Sequence, residues 1–208
     1  DDTPDPGLER FSTLEADARD RLWRCLAEGG AANATSFLGN CRSILAGEPP
    51  EHEPKPLLKA GIWERAGSGG GEERPTVPVV FYRALVQSGQ TEAVETLCEA
   101  LDAEGLSPLP LFVTSLKDPV SVETLRAVFA GRPPAAVVNL TSFAVSAPGL
   151  PHKPTVLDES GAVVLQAVLA GSSRETWEAS TAGLSGRDLA MSVALPEVDG
   201  RVLTRAIA

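Results

Sequence analysis

From Pro75 onward, short apolar runs alternate with longer stretches of helical periodicity, and this constrains the fold more than anything else in the chain. "VPVVFY" (77–82) is a continuous apolar run, as expected of a strand covered on both faces. "TEAVETLCEALDAEG" follows, with Val94, Leu97, Cys98 and Leu101 on one helical stripe and Gly105 as the stop. "LPLFVTS" (109–115) is a second strand. Asp118 then caps a helix with Pro119 at its first position and Val122, Leu125 and Phe129 on its buried face. "AAVVNL" (135–140) and "AVVLQAVLAG" (162–171) read as the third and fourth strands, and Ser172 with Glu175 reads as a capping box for "RETWEAS". "LAMSVAL" (189–195) reads as a fifth strand. Strands separated by helices of about 10–15 residues cannot join as hairpins, so they require crossovers and a parallel sheet. The expected fold class is therefore α/β: a parallel, doubly wound-like sheet with flanking helices, preceded by a short helical segment.

That segment lies in residues 8–46. "LEADARDRLWRCLAEGG" spaces its apolar positions helically and closes on Gly29-Gly30, and "ATSFLGNCRSILAG" ends at Gly47 before Pro49-Pro50. Pro-rich sequence leads to a glycine run at 69–71 flanked by charge. The expected organisation is a helical segment over 1–66, a flexible Gly-rich linker over 67–74 with residues 66–73 poorly ordered, and an α/β domain over 75–208. The chain starts at Asp1 and stops at Ala208 inside a fresh apolar pattern, so it reads as a piece of something longer, truncated at its C-terminus.

Charge and composition remove several classes of function. With 18 basic and 28 acidic residues the formal charge is 18 − 28 = −10, a surface that a phosphate backbone would repel, so no nucleic-acid partner is expected. No apolar run approaches the ~20 residues of a membrane span and no signal peptide opens the chain, which points to a cytoplasmic protein. Cys25, Cys41 and Cys98 have no metal-ligand spacing and read as reduced thiols. Asn33 and Asn139 match the glycosylation acceptor pattern by chance on this view. A P-loop is absent, "YRALVQSGQT" replaces a dinucleotide fingerprint after the first strand, and no nucleophile elbow is present. His52 and His152 sit singly in Pro-rich loops and read as surface residues.

In an open parallel sheet, ligands bind outside the carboxyl ends of the strands. Reading those ends in order collects Tyr82 and Arg83; Ser115, Lys117 and Asp118; Asn139, Thr141 and Phe143; Ser172 and Ser173; and finally Glu197 and Asp199. The two acids would then share a rim with Arg83 and Lys117. The alternative is that Arg83 pairs with Glu197 or Asp199 and ties two strand ends together.

Several of these segments resemble one family. "VPVVFYRALVQSGQTEAVETLCEALDAEGLSPLPLFVTSLKDP", "AAVVNLTSFA" and "VVLQAVLAGSSRETWEASTAGLSGRDLAMSVALPEVDGRV" are similar to the large subunits of aerobic cobaltochelatase and magnesium chelatase, the CobN/magnesium chelatase H family. The carriers are the aromatic-Arg of Tyr82-Arg83, Gly89-Gln90-Thr91, Trp177 with Ser180, and Leu-Pro-Glu-x-Asp-Gly at 195–200, with "PKPLLKAGIW" as a weaker match upstream. Gln90 departs from the Asp or Asn that is common in relatives. "FYRA" and "LAGSSRETWEAS" lie closer to the cobalt branch.

This resemblance implies a subunit that binds a tetrapyrrole, hydrogenobyrinic acid a,c-diamide, and receives Co2+ as a substrate, in an ATP-dependent cobaltochelatase of cobalamin biosynthesis. ATP and Mg2+ would sit on separate AAA+-type ATPase subunits, in keeping with the missing P-loop, and the fragment alone would be inactive. Metal insertion needs a base for ring N–H protons, carboxylates for the cation and cations for the substrate's acid side chains. On that basis Glu197 and Asp199 are the candidate catalytic residues, with Glu197 also the candidate metal ligand. Arg83 and Lys117 suit substrate carboxylates, while Tyr82, Thr141 and Phe143 complete the substrate-binding set. Between the acids, Glu197 is expected to do the chemistry and Asp199 to hold its turn. The alternatives are a magnesium chelatase H-type subunit or a non-catalytic ligand-binding or docking domain.

Overall fold

The structure, a computed structural model, describes residues 5–65, 74–147, 149–151 and 153–207. The expected poorly ordered stretch 66–73 and His152 lie outside them. The chain divides into two compact units, one comprising the residues up to Leu58 with Ala84–Gln90, the other Lys59–Arg83 with the residues from Thr91 onward.

Two glycines shape the first unit. After α1 (Pro6–Glu9), α2 (Ala16–Glu28) closes at Gly29, and α3 (Ala31–Leu45) opens immediately. Gly29 has φ 67°, and a Cβ there would lie 2.8 Å from the carbonyl oxygen of Gln87, so only glycine fits without strain. Gly30 donates its N–H to that same oxygen. The Pro-rich segment after α3 is held by two buried asparagines. Asn33 donates Nδ2–H to the Lys55 carbonyl and accepts the Lys55 N–H, and Asn40 does the same with His52. At 3% exposure Asn33 is sealed from solvent, and Asn139, at 0%, is sealed too.

The second unit carries a six-stranded sheet in the order β1-β3-β2-β4-β5-β6. Its strands are β1 (Ala60–Ile62), β2 (Thr76–Tyr82), β3 (Ser107–Val113), β4 (Ala136–Asn139), β5 (Val163–Leu169) and β6 (Val202–Ile207). β1 runs antiparallel to β3, and every other pairing is parallel. The four strands expected near 77–82, 109–115, 135–140 and 163–169 are thus present as β2 to β5 and mutually parallel. β2 is buried on both faces, with Val79, Val80 and Phe81 at 0% exposure, which explains its unbroken apolar sequence.

α4 (Arg83–Ser88) leaves β2, and α5 (Glu92–Ala103) packs on β3 and buries Val94 and Cys98. α6 (Pro119–Gly131) starts at Asp118, whose side chain accepts the Ser121 N–H at 2.8 Å. Leu125 and Phe129 of this helix join Val80, Leu111, Val113 and Val137 in the main core. β3 and β4 lie on opposite sides of β2, so the chain reverses its direction across the sheet there. That reversal opens a crevice between the carboxyl ends of β2 and β4.

Two expectations need correction. "LAMSVAL" is not a strand: α8 (Gly186–Leu189), a π-turn (Ala190–Ala194) and α9 (Leu195–Glu197) make one continuous helical stretch, preceded by the short α7 (Arg174–Glu178). Of its seven residues only Val193 is β-branched, the rest being mostly strong helix formers, and Ser185 caps the stretch by accepting the Asp188 N–H. The strand comes later, as β6, so Glu197 and Asp199 precede the amino end of a parallel strand instead of closing its carboxyl end. The cap of α7 is likewise Ser173, which accepts the Thr176 N–H, and not Ser172.

Candidate functional site

The crevice is organised by one phenol. Tyr82, at the end of β2, accepts the N–H groups of both Ser142 and Phe143 on its hydroxyl, each at 3.0 Å. This fixes the loop that leaves β4 and sets the Phe143 ring edge-on to Tyr82, with centroids 6.3 Å apart. Phe143 nevertheless remains 55% exposed, an aromatic ring held in place yet open to solvent.

A buried polar network supports that loop from beneath. Asn139 Oδ1 accepts the N–H and hydroxyl of Thr141, and Asn139 Nδ2 donates to Gln166 Oε1 on β5 at 2.8 Å. The Thr141 carbonyl accepts from Gln166 Nε2 and from Arg201 Nη1, and Arg201 Nη2 reaches the Phe143 carbonyl. Asp199 completes the network. One carboxylate oxygen accepts the Ser146 N–H at 2.8 Å, and the other accepts the Val145 N–H and Arg201 Nη2, each at 2.7 Å. The Asp199 and Arg201 side chains are 0% and 4% exposed.

Burial opposes ionisation of Asp199. The Ser146 and Val145 amides, the Ser146 hydroxyl and the Arg201 guanidinium outweigh it together and hold the carboxyl below its ordinary value. Burial also lowers the Arg201 guanidinium, against the pull of Asp199. Asp199 therefore binds the opposite loop and Arg201, not merely its own turn, and its charge is already matched.

Beside this network an open cleft of about 480 Å³ lies against the loops that leave β4 and β5. Ser142 and Phe143 form one wall and Gly171 and Ser172 another. The helical stretch supplies Ser185, Arg187, Asp188, Met191 and Ser192. Asp188 joins two of these walls, accepting the Gly171 N–H on one oxygen and the Ser185 hydroxyl on the other.

The structure brings Tyr82, Thr141, Phe143 and Asp199 into one cluster. Of these four only Phe143 lines the cleft, and the remaining candidates belong to neither the cluster nor the lining. Arg83 is half-buried at the start of α4, Lys117 is exposed after β3, and Glu197 is exposed at the end of α9. Asp199 pairs with Arg201, so the expected alternative of an Arg83–Asp199 tie gives way to this closer partner. Among the described residues no three His, Cys, Asp or Glu side chains gather as a metal site, and no helix is long and apolar enough to cross a membrane.

Residues 23–208 match the family model described as CobN/Magnesium Chelatase. The chain belongs to this family. It is 54% identical, over its whole length, to the aerobic cobaltochelatase subunit CobN of a Sinorhizobium species, and covers 18% of that protein. It is 36% identical to the CobN subunit of Pseudomonas aeruginosa, covering 17% of it. The fold is similar to that of the catalytic subunit of cobaltochelatase from Mycobacterium tuberculosis, with a TM-score of 0.73 at 30% identity over 98% of this chain and 18% of that one. The chain thus spans under a fifth of the length of the CobN proteins it matches.

For a member of the CobN/magnesium chelatase family, the polar residues that sequence reasoning missed are as informative as those it found. Arg201 follows the Asp-Gly turn and reads in isolation as a solvated cation, yet it is the centre of the buried network. Arg187 and Asp188 were hidden by the strand reading of the segment that follows them. The visible signal was Ser185-x-x-Asp188, a helix start.

Proposed function

We propose that this chain is part of the tetrapyrrole-binding, metal-inserting large subunit of an ATP-dependent cobaltochelatase, and that it supplies one wall of the tetrapyrrole site. The observation that carries this reading is the cleft outside the carboxyl ends of β4 and β5, next to the crevice where the chain reverses, with the Phe143 ring held exposed on its wall. The names of the CobN relatives support cobalt, with Co2+ as the inserted substrate and hydrogenobyrinic acid a,c-diamide as the acceptor. ATP and Mg2+ belong to AAA+-type partner subunits. In this reading Tyr82 and Thr141 set the loop and Phe143 packs on the macrocycle. Arg83 and Lys117 meet acid side chains at the periphery. Glu197, an exposed carboxylate, takes ring protons or hands on the cation, while Asp199 keeps the loop in place.

One observation favours the docking alternative: Glu197 is exposed and does not line the cleft beside Arg83. The two readings separate on Phe143→Ala in the full-length large subunit, titrated with hydrogenobyrinic acid a,c-diamide and followed by absorbance. Loss of a stacking side chain should weaken binding by about tenfold, the upper range for an aromatic contact. Wild-type affinity in the variant would remove this segment from the tetrapyrrole site.

A further inference from the structure

The cleft contains one cation with no assigned role. Arg187 projects from the first turn of α8 into its lining and is exposed. Among the described residues it has no carboxylate partner, although the protein as a whole carries a formal charge of −10. Its neighbour Asp188 makes no ion pair with it among the described residues. Both Asp188 oxygens are engaged, one at 3.2 Å by the Gly171 N–H and the other at 2.8 Å by the Ser185 hydroxyl. A Cβ on Gly171 would lie 3.0 Å from Asp188 Oδ1, a tight contact that the carboxylate would have to yield to by a few tenths of an ångström. The cation is left facing hydroxyls: Ser142, Ser172, Ser185 and Ser192 all line the same cleft. Ser142 and Ser192 stand with their oxygens 3.4 Å apart across it.

We infer that Arg187 is a specificity-determining residue of this cleft, pairing with a peripheral carboxylate of a planar ligand whose ring lies against Phe143. This rests on the proposed tetrapyrrole site and names the group that would select among its ligands. A guanidinium presents a flat fork of donors that matches a carboxylate in two parallel hydrogen bonds, which neither a hydroxyl nor a point-charge ammonium reproduces. The surrounding serines accept or donate as required and so tolerate either the acid or the amide form of the neighbouring side chains. The selective element is therefore the cation. An uncharged ligand would leave Arg187 hydrated at the open cleft and draw nothing from it, so the discrimination rests on the pair formed with the acid.

The test uses the full-length large subunit and two probes, hydrogenobyrinic acid a,c-diamide and the same macrocycle with its free carboxylates converted to methyl esters. Dissociation constants are measured for wild type, Arg187→Gln and Arg187→Lys. The expected result is that Arg187→Gln weakens the acid probe by about 10- to 100-fold, the range for losing a charge-assisted pair, and leaves the ester probe within about twofold. Arg187→Lys should recover only part of the loss. Because Arg187 is exposed, folding should be unaffected, and an unchanged circular dichroism spectrum checks this. If wild type binds the acid probe and Arg187→Gln binds both probes as wild type does, the assignment of Arg187 fails while the tetrapyrrole site stands. If wild type binds neither probe, the tetrapyrrole site itself fails and this inference falls with it.

Discussion

Replacing Asp199 by asparagine removes a charge and one acceptor oxygen with almost no change of shape, which makes it a sharp probe of the loop over β4. In the wild type the carboxylate collects three donors with two oxygens: Ser146 N–H at 2.8 Å, Val145 N–H at 2.7 Å and Arg201 Nη2 at 2.7 Å. An amide keeps one of those acceptors and turns an NH2 donor toward groups that are themselves donors. Arg201, with a side chain only 4% exposed, then holds a buried charge without its counter-ion. Breaking one side of such a pair costs about 3–5 kcal/mol. Since ~1.4 kcal/mol is a factor of ten, the local opening equilibrium should rise by roughly 10² to 10³ or more.

The suitable assay is amide hydrogen exchange over residues 140–147 in the full-length subunit, because a local readout does not require the whole protein to unfold in two states. The dependence on pH has a definite sign. The folded carboxyl titrates below its ordinary value, so its contribution is fully present above about pH 4, the unfolded value, and disappears as pH falls through the folded value. Asp199→Asn should therefore flatten the acid limb of the wild-type protection profile. Protection in the variant within a factor of about five of wild type at pH 7 would refute the clasp, as would an unchanged acid limb.

Two further outcomes follow, one from the role proposed for Glu197 and one from the burial of Cys98. Glu197→Gln in the intact complex should leave tetrapyrrole affinity unchanged while cobalt insertion falls by about 10²- to 10⁴-fold, the effect of losing a general base, and an unaltered insertion rate would make that carboxylate dispensable. Burial pushes the Cys98 thiol up to about 11 and leaves it 0% exposed, so iodoacetamide at pH 8 should label half-buried Cys41 first and leave Cys98 unmodified in the native protein, as read by peptide mass spectrometry.

Much of the sheet was legible because parallel strands covered on both faces must be written as unbroken apolar runs. "VPVVFY" and "LPLFVTS" have no other comfortable environment. The same rule misled at "LAMSVAL", since a run that is apolar throughout fits a helix as well as a strand, and there composition decides: Ala, Leu and Met favour the helix. β6 was harder to see because "VLTRAI" is neither an unbroken apolar run nor a strict alternation of polar and apolar residues. At the candidate site, Tyr82 and Phe143 could be placed from strand ends alone, because a parallel sheet fixes where those ends lie. Arg201 could not, because its burial depends on a partner loop 58 to 60 residues away in sequence. Long-range pairing of polar groups leaves no local periodicity to read.

The two asparagines of α3 act as a ruler. Asn33 and Asn40 are seven residues apart, about 10.5 Å along a helix, and the backbone groups they grip at Lys55 and His52 are three residues apart, about 10 Å in extended chain. The two spacings agree, so both amides can close their paired hydrogen bonds at once. What they read is main chain, not side chain. The length of the segment from 52 to 55 is thus fixed to the residue: one insertion or deletion there would put the second amide out of register with the chain it holds.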